Sequence, residues 1–332
     1  MTIHATRTPS PAGHTGPDSV PVPTGVSALM GTPTGAAASG APPVPRRPRA
    51  DCTADSAGGL TFDVRLPVAT AEAAVDAALL LCRRGGDAPA DTVRLPLAST
   101  EQDGTLRAVL PSIMTLPEGR WDAFLAFGDL EPRRLLPGVH DLRSLIDRVP
   151  RQTRTWLGVR IPYATKYGNL TVRSWQRWPH AEAGRLRVEE GGLVLDGKLY
   201  GARLGSTARL EAHSRETAGT PVSVPVTLRA ADGEDGTGES AAPGTDAAGD
   251  FTAELPLAAL PVTHPVWDLW LRPHEGADPV RVARILDDVP DKKRIFSYPP
   301  QRVTDVEGDR AVRPYYTLDN DLSVRVSWAE AV

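Results

Sequence analysis

The stretch with the most chemical potential runs from Arg151 to Arg187, where cations and aromatic rings alternate. It contains eight basic residues, five aromatic residues and one acid. Arginine and lysine beside aromatic rings can bind anionic or sugar-containing polymers through charge, stacking and cation–π contacts. The sequence predicts a ligand or partner surface formed by Lys166, Tyr167, Arg173, Trp175, Arg177 and Trp178. The structural alternative is that alternating strands send arginine outward and tryptophan inward.

Signatures of catalysis, cofactor binding or metal binding are not found in the sequence. It lacks Gly-x-Ser-x-Gly and His-Glu-x-x-His, and Gly236-Thr-Gly238 lacks the following glycine that dinucleotide binding requires. Cys52 and Cys82 fit neither a disulfide framework nor a zinc site, so we expect one linker thiol and one core residue. Asp122 and Asp268 each follow a tryptophan, which favours a turn or sheet-edge role over acid catalysis. We therefore predict no catalytic residue, no cofactor and no metal.

Composition narrows the class of protein further. The 332 residues carry 37 basic and 41 acidic side chains, a net charge of −4, which argues against a protein that coats DNA. Because no window reaches the roughly 18 apolar residues of a membrane helix and the N-terminus lacks a signal-peptide pattern, we predict no membrane span and a cytoplasmic location. Residues 1–50 contain ten prolines and no aromatic residue. We predict a disordered Pro/Gly/Ala-rich tail over residues 1–54.

Internal repetition is the clearest organisational signal. Four blocks recur in the same order: Gly58–Leu66 and Gly191–Leu199, Gly104–Pro111 and Gly249–Pro256, Trp121–Leu125 and Trp267–Leu271, Pro162–Arg173 and Pro314–Arg325. They predict two copies of one domain, over residues 55–180 and 185–332. The second copy gains an acidic insertion over residues 229–250. Its carboxylates lack EF-hand spacing, so we expect a solvated loop rather than a calcium site.

The repeated blocks have the two-residue period of strands. In Ala208–Arg215, small or apolar residues alternate with polar ones. Ala71–Leu81 favours a helix by propensity, but its counterpart alternates, so a strand is predicted there. Trp121 and Trp267 fit core positions that hold two sheets together, with ligand stacking as the alternative. The predicted fold is all-β: two tandem immunoglobulin-like antiparallel β-sandwiches after the tail.

The motif order resembles a known class of protein region. Gly-x-[Leu/Phe]-x-Ala-x-Leu-Pro, Gly-x-Trp-Asp, Arg-[Leu/Ile]-Leu and Pro-Tyr-x-Thr-x-x-x-Asn-Leu-x-Val-Arg are similar to the non-catalytic C-terminal β-sandwich region of GC-rich bacterial family 2 glycosyltransferases and of teichoic-acid-type glycerophosphotransferases. The resemblance covers residues 55–330. Those enzymes carry an N-terminal nucleotide-sugar or nucleotide-glycerol domain with an acidic metal site, and nothing in this sequence corresponds to it. No catalytic residue is carried over.

The resemblance leaves three functional hypotheses. In the first, the chain is a non-catalytic accessory or binding protein of cell-envelope glycopolymer synthesis, which docks a glycosyltransferase or holds an anionic polysaccharide. In the second, it is a transferase of glycosyl or glycerophosphate groups whose active site lies between the two sandwiches. In the third, which we consider the weakest, the Arg151–Arg187 surface binds nucleic acid. The expected partners are thus a glycosyltransferase or an anionic glycopolymer.

Overall fold

Strands form nearly all the regular structure of this chain. The computed structural model describes residues 47–66, 76–102, 104–146, 148–150, 156–189, 191–229, 249–306 and 308–329. Within these ranges the remaining regular elements are short 3-10 turns, and no α-helix is present. None of the described segments is a helix with the length and hydrophobicity needed to cross a bilayer. The all-β prediction is confirmed. Residues 1–46 of the predicted tail and residues 230–248 of the predicted acidic loop lie outside the described ranges.

The first half, residues 47–179, contains eleven strands. They are β1 (Arg49–Ala54), β2 (Leu60–Arg65), β3 (Ala77–Arg83), β4 (Thr92–Pro96), β5 (Ala98–Ser99), β6 (Thr105–Leu110), β7 (Gly119–Phe127), β8 (Arg133–Arg134), β9 (Leu136–Asp141), β10 (Leu157–Ala164) and β11 (Leu170–Arg177). One sheet has the order β5-β6-β2-β1-β9 and the other β10-β11-β7-β3-β4, with β8 beside β7.

Apolar side chains from both sheets of the first half meet in one core. In β2, buried Leu60, Phe62 and Val64 alternate with more exposed residues, as the sequence period requires. Phe62 packs in the same buried cluster as Trp121 of β7 and Trp175 of β11. Trp121 is fully buried and its indole N–H donates to the carbonyl of Pro117 at 3.0 Å, so its predicted core position is confirmed.

The second half, residues 180–329, contains ten strands. They are β12 (His180–Glu189), β13 (Gly192–Tyr200), β14 (Arg209–Ser214), β15 (Val222–Leu228), β16 (Gly249–Pro256), β17 (Val266–Arg272), β18 (Val280–Ala283), β19 (Gln301–Asp305), β20 (Gly308–Tyr316) and β21 (Leu322–Trp328). Their order is β14-β15-β16-β13-β12-β18-β17-β21-β20-β19. The core of this half includes Trp267, which is 3% exposed, as predicted.

The second half closes on itself, whereas the described strands of the first half form two separate sheets. Because β14 also pairs with β17, seven of its strands form a closed ring around the buried cluster. In the second half, the single strand β15 pairs with both β14 and β16 and so continues the ring. In the first half, β4 and β5 lie in different sheets, so no strand connects the two sheets at this point. A ring differs from two facing sheets. The finer prediction of two immunoglobulin-like sandwiches therefore stays a prediction.

Strand pairings nevertheless recur between the halves. In the first half, β1 pairs antiparallel with β2 and parallel with β9, and β7 pairs with β3 and β11. In the second, β12 pairs antiparallel with β13 and parallel with β18, and β17 pairs with β14 and β21. The β10–β11 hairpin likewise matches the β20–β21 hairpin.

The structure corrects the tail boundary and the position of Cys52, and it confirms part of the strand predicted within Ala71–Leu81. The predicted tail extends too far, because residues 49–54 form β1, whose Ala50, Cys52 and Ala54 are buried between paired strands. Cys52 is consequently a core residue rather than a linker thiol, and burial raises the pKa of its thiol. The strand predicted within Ala71–Leu81 is confirmed from Ala77 onward, where packing between β4 and β7 outweighs helix propensity. Residues 67–75 lie outside the described ranges.

Candidate functional site

The six residues predicted to form a ligand surface do not lie together. Lys166 and Tyr167 occupy the turn between β10 and β11, where both are exposed and the Lys166 ammonium lies 4.8 Å from the centre of the Tyr167 ring. Trp178 is half-buried beyond the end of β11 and its indole packs against Gly201. That Lys166 and Tyr167 bind a ligand stays a prediction.

Arg173 and Trp175 instead contact the second half of the chain. The Arg173 guanidinium stacks 5.0 Å from the Trp175 ring centre and forms an ion pair with Asp319. The Trp175 indole N–H donates to the Asp319 carbonyl at 2.9 Å. Both side chains are almost completely buried. Their ion pair and hydrogen bond connect β11 to the turn between β20 and β21, and so contribute to the junction between the halves.

Arg177 extends this junction one step further along β11. It donates to Glu118 of the first half and Asp321 of the second, each at 2.6 Å. Burial lowers the pKa of Arg177, but the two carboxylates outweigh burial and hold it above its usual value. The acids of the β20–β21 turn, Asp319 and Asp321, stand two residues apart, whereas Arg173 and Arg177 of β11 stand four residues apart.

Glu182 links two segments of the second half through hydrogen bonds. One carboxylate oxygen accepts hydrogen bonds from the backbone N–H groups of Ile285 and Leu286, each at 3.1 Å. The other lies 2.7 Å from Nε2 of the fully buried His180. The first residues of β12 are thus held against the segment that follows β18. The domain boundary predicted between residues 180 and 185 therefore falls inside a strand.

A groove of about 1010 Å³ opens beside Glu182, between the two halves. Its rim has three exposed aliphatic side chains, Ile146, Val149 and Ile295. Its aromatic residues are Tyr200, Phe296 and Tyr298, and its charged residues are Arg148, Arg185, Arg284, Glu182, Asp287 and Asp288. We take this junction groove as the candidate functional site. No local pattern in the sequence predicts this groove, because its lining comes from segments up to 152 positions apart, from residue 146 to residue 298.

Charged side chains around the junction groove are held in place by internal bonds. Arg284 stacks 4.6 Å from the Phe296 ring centre and lies 3.5 Å from Asp287. Lys292 is fully buried behind them, where its ammonium donates to Asp287 and to the Val289 carbonyl. Burial lowers the pKa of Lys292, against the opposing effect of Asp287. Such bonds fix the groove's shape before a ligand arrives.

The tyrosines of the junction groove remain neutral phenols at physiological pH. Burial raises the pKa of Tyr200 to about 12, and the nearby Glu182 carboxylate adds to the rise. Burial also raises the pKa of Tyr298. A neutral phenol can stack on an apolar surface and exchange hydrogen bonds with hydroxyl groups. These rings suit binding rather than proton abstraction.

Arg185 differs from the other groove cations. It is exposed, and it forms no ion pair with any residue that the structure describes. Arg148, by comparison, donates to the Gly158 carbonyl at 3.0 Å. Arg185 can therefore meet an anionic group at the groove edge without first breaking an internal ion pair.

The sequence predicts a turn or sheet-edge position for Asp122 and Asp268. In the structure, both lie on inner strands of their sheets. Asp122 accepts hydrogen bonds from Thr171 at 2.8 Å and Arg84 at 2.7 Å, while Asp268 accepts one from Ser323 at 2.7 Å. Burial raises the pKa of each carboxyl, but its donors outweigh burial and lower it. Both acids join neighbouring strands. Within the described ranges, no three His, Cys, Asp or Glu side chains are grouped to hold a metal ion.

Comparisons with known proteins do not assign this chain to a family. Neither a protein-family profile nor a curated protein matches the sequence. Among solved structures, the "Crystal structure of S. aureus TarS 217-571" is similar over 63% of this chain and 45% of that one, with 14% identity and a TM-score of 0.33. The chain thus spans less than half of that structure. A likeness this low carries no inference about fold or activity.

Proposed function

We propose that this chain is a non-catalytic binding protein of cell-envelope glycopolymer synthesis, and that its junction groove holds a stretch of anionic polysaccharide. The observation that carries the proposal is the composition of the groove, where aromatic rings, fixed charges and exposed aliphatic side chains line one open channel. Aromatic and aliphatic surfaces pack against the C–H faces of sugars, while charged groups hydrogen-bond their hydroxyls. The cell-envelope context rests on the motif resemblance alone.

Two of the three acids that line the groove support binding over group transfer. Glu182 already accepts hydrogen bonds from two backbone N–H groups, and Asp287 neutralises the buried Lys292. A general acid or base must exchange its proton with the substrate. Both carboxylates would have to give up structural partners to do so. Arg185, by contrast, is available to an anionic group of the polymer.

Titration of the purified protein with glycerol-phosphate polymer and with a neutral glycan, followed by calorimetry, tests this function. Ile295→Asp places a carboxylate on the groove rim at a residue that is 60% exposed, so the fold should survive while polymer binding weakens at least tenfold. Ile113→Asp is the matched control, because Ile113 is 85% exposed and does not line the groove. Equal affinities for the two variants, or no binding by the unmodified protein, would refute the proposal.

The transferase hypothesis makes the opposite prediction in a second assay. Incubation with nucleotide-activated sugar and glycerol donors plus acceptor polymer should give no product if the groove only binds. Product formation that disappears in Arg185→Gln would replace binding with catalysis as the function. Binding of nucleic acid would appear instead as an affinity for single-stranded oligonucleotides that falls steeply with added salt.

We further infer that the two halves are copies of one domain that have diverged in how their sheets close. The recurring antiparallel and parallel pairings around β1 and β12 support this. An experimental structure in which β12 does not pair with β18 would contradict it.

A further inference from the structure

Two arginines face each other on the outer surface of the second half. Arg313 of β20 and Arg325 of β21 are directly opposite in the antiparallel register, and both are exposed. Side chains in this relation have Cβ atoms about 5 Å apart, and like charges placed so are unfavourable. The surface therefore has a local excess of positive charge that the strand pairing itself imposes.

Carboxylates near this pair are already engaged elsewhere. Asp268, on the neighbouring strand β17, pairs with Arg215 and Arg281. In the described part of the chain, no carboxylate lies within ion-pair distance of Arg313 or Arg325. The positive charge of the pair is left without an internal counter-ion.

An aromatic ring and hydroxyl groups surround the same point. The Arg325 guanidinium lies 5.3 Å from the centre of the Tyr315 ring. Stacking of this kind orients the planar group and leaves its N–H edge available for an anion. Ser327 is exposed on β21 two residues beyond Arg325, so that its side chain points to the same face of the sheet. These residues can donate hydrogen bonds to an anion that bridges the two arginines.

In the first half, the arginine at the equivalent position is paired with a carboxylate. Arg173 holds the position in β11 that Arg325 holds in β21, and it too stacks on an aromatic ring, that of Trp175. There the guanidinium binds a carboxylate, that of Asp319. In the second half the stacked guanidinium has no such partner, and opposite Arg325 stands Arg313 in place of Ile161.

We propose that Arg313 and Arg325, with Tyr315 beside them, form a binding site for a phosphate group. One arginine fork satisfies the two oxygens of a carboxylate, whereas two forks on opposite strands match the additional oxygens of a phosphate. The site lies on the outer face of β20 and β21, apart from the junction groove, whose lining includes none of these residues. It does not depend on the function proposed for the groove.

Calorimetry with inorganic pyrophosphate as the probe, and acetate as the carboxylate comparison, tests this site. We expect pyrophosphate to bind the unmodified protein, and Arg313→Gln and Arg325→Gln each to weaken that binding at least tenfold. Arg302→Gln is the control, because Arg302 is an exposed arginine of the adjacent strand β19 that already pairs with Asp309. It should leave the affinity unchanged.

A second measurement guards against misfolded variants. Pyrophosphate should raise the melting temperature of the unmodified protein and of Arg302→Gln, and should not raise that of either arginine-pair variant. Backbone amide shifts in NMR spectra should concentrate at Tyr315, Arg325 and Ser327. Unchanged pyrophosphate affinity in both pair variants, or acetate binding as tight as that of pyrophosphate, would overturn the proposal.

Discussion

Replacing Arg177 by methionine tests how firmly ion pairs join the two halves. The substitution keeps an unbranched apolar stem of similar reach and removes only the guanidinium. In the native protein that group donates to Glu118 and Asp321 at 2.6 Å each, and the Arg177 side chain is 15% exposed. Without it, a carboxylate from each half faces the other across the junction, and among the described residues Asp321 keeps one ion-pair partner, Arg281, at 4.0 Å.

The magnitude follows from the burial of the residues left behind. Removing one member of a buried ion pair costs about 3–5 kcal/mol, because a desolvated charge loses its partner. The Asp321 side chain is 18% exposed, so water does little to stabilise its unpaired charge. The Glu118 side chain is 35% exposed and is partly hydrated once the guanidinium is gone. We therefore expect the lower end, about 3 kcal/mol of unfolding free energy.

Urea denaturation followed by tryptophan fluorescence measures this loss. Arg107→Met is the matched control, because Arg107 also forms a two-bond pair, with Asp63, but its side chain is 52% exposed. An exposed pair of this kind contributes about 1 kcal/mol or less. If Arg177→Met destabilised the protein no more than Arg107→Met, the junction would not depend on its ion pairs and the reasoning would fail.

Three further predictions concern other parts of the chain. The pKa of Asp268 in the folded protein lies below the value of about 4 in unfolded chains, so its charge stabilises the fold above about pH 4 and this effect is lost as the pH falls through the folded pKa. Asp268→Asn should therefore make the unfolding free energy depend less on pH in the acid range. An unchanged pH dependence would count against this prediction. Gly201→Ala should lower the melting temperature, since a Cβ would lie 2.3 Å from the Trp178 ring at a φ of +77°, a cost of about 1–3 kcal/mol; a native-like melting curve would contradict the packing. Tyr167→Ala, at a site 74% exposed, should change stability by less than about 0.5 kcal/mol and weaken glycopolymer binding; calorimetry showing full affinity would remove the turn from the predicted surface.

Short-range patterns in the sequence predicted the elements of this fold well. Alternation in β2 and in β14 predicts one apolar face, and the structure buries that face, while in β14 Glu211 of the polar face is buried as well. Trp121 and Trp267 lie in the core, as expected for tryptophans at positions that hold two sheets together. The limits of the tail were predicted less well, because Ala50, Cys52 and Ala54 are small residues that resemble the preceding segment in composition.

The basic aromatic stretch shows where such reasoning stops. Its alternation indicated strands correctly, but a sequence cannot say whether an arginine meets solvent or an acid more than 140 residues away. The structure answers this for Arg173 and Arg177, whose partners lie in the β20–β21 turn. Long-range ion pairs form only once both halves have folded and excluded water between them.

The sequence by itself determined that this chain is a β protein with recurring blocks, because side-chain alternation is a local property of each strand. Tertiary structure decided the rest. Closure of the seven-strand ring depends on β14 meeting β17, and the junction groove depends on segments brought together from both halves. Arg173 and Arg325 illustrate the difference: equivalent in sequence, one is buried against Asp319 and the other faces solvent opposite Arg313, because only the first has a second half packed upon it.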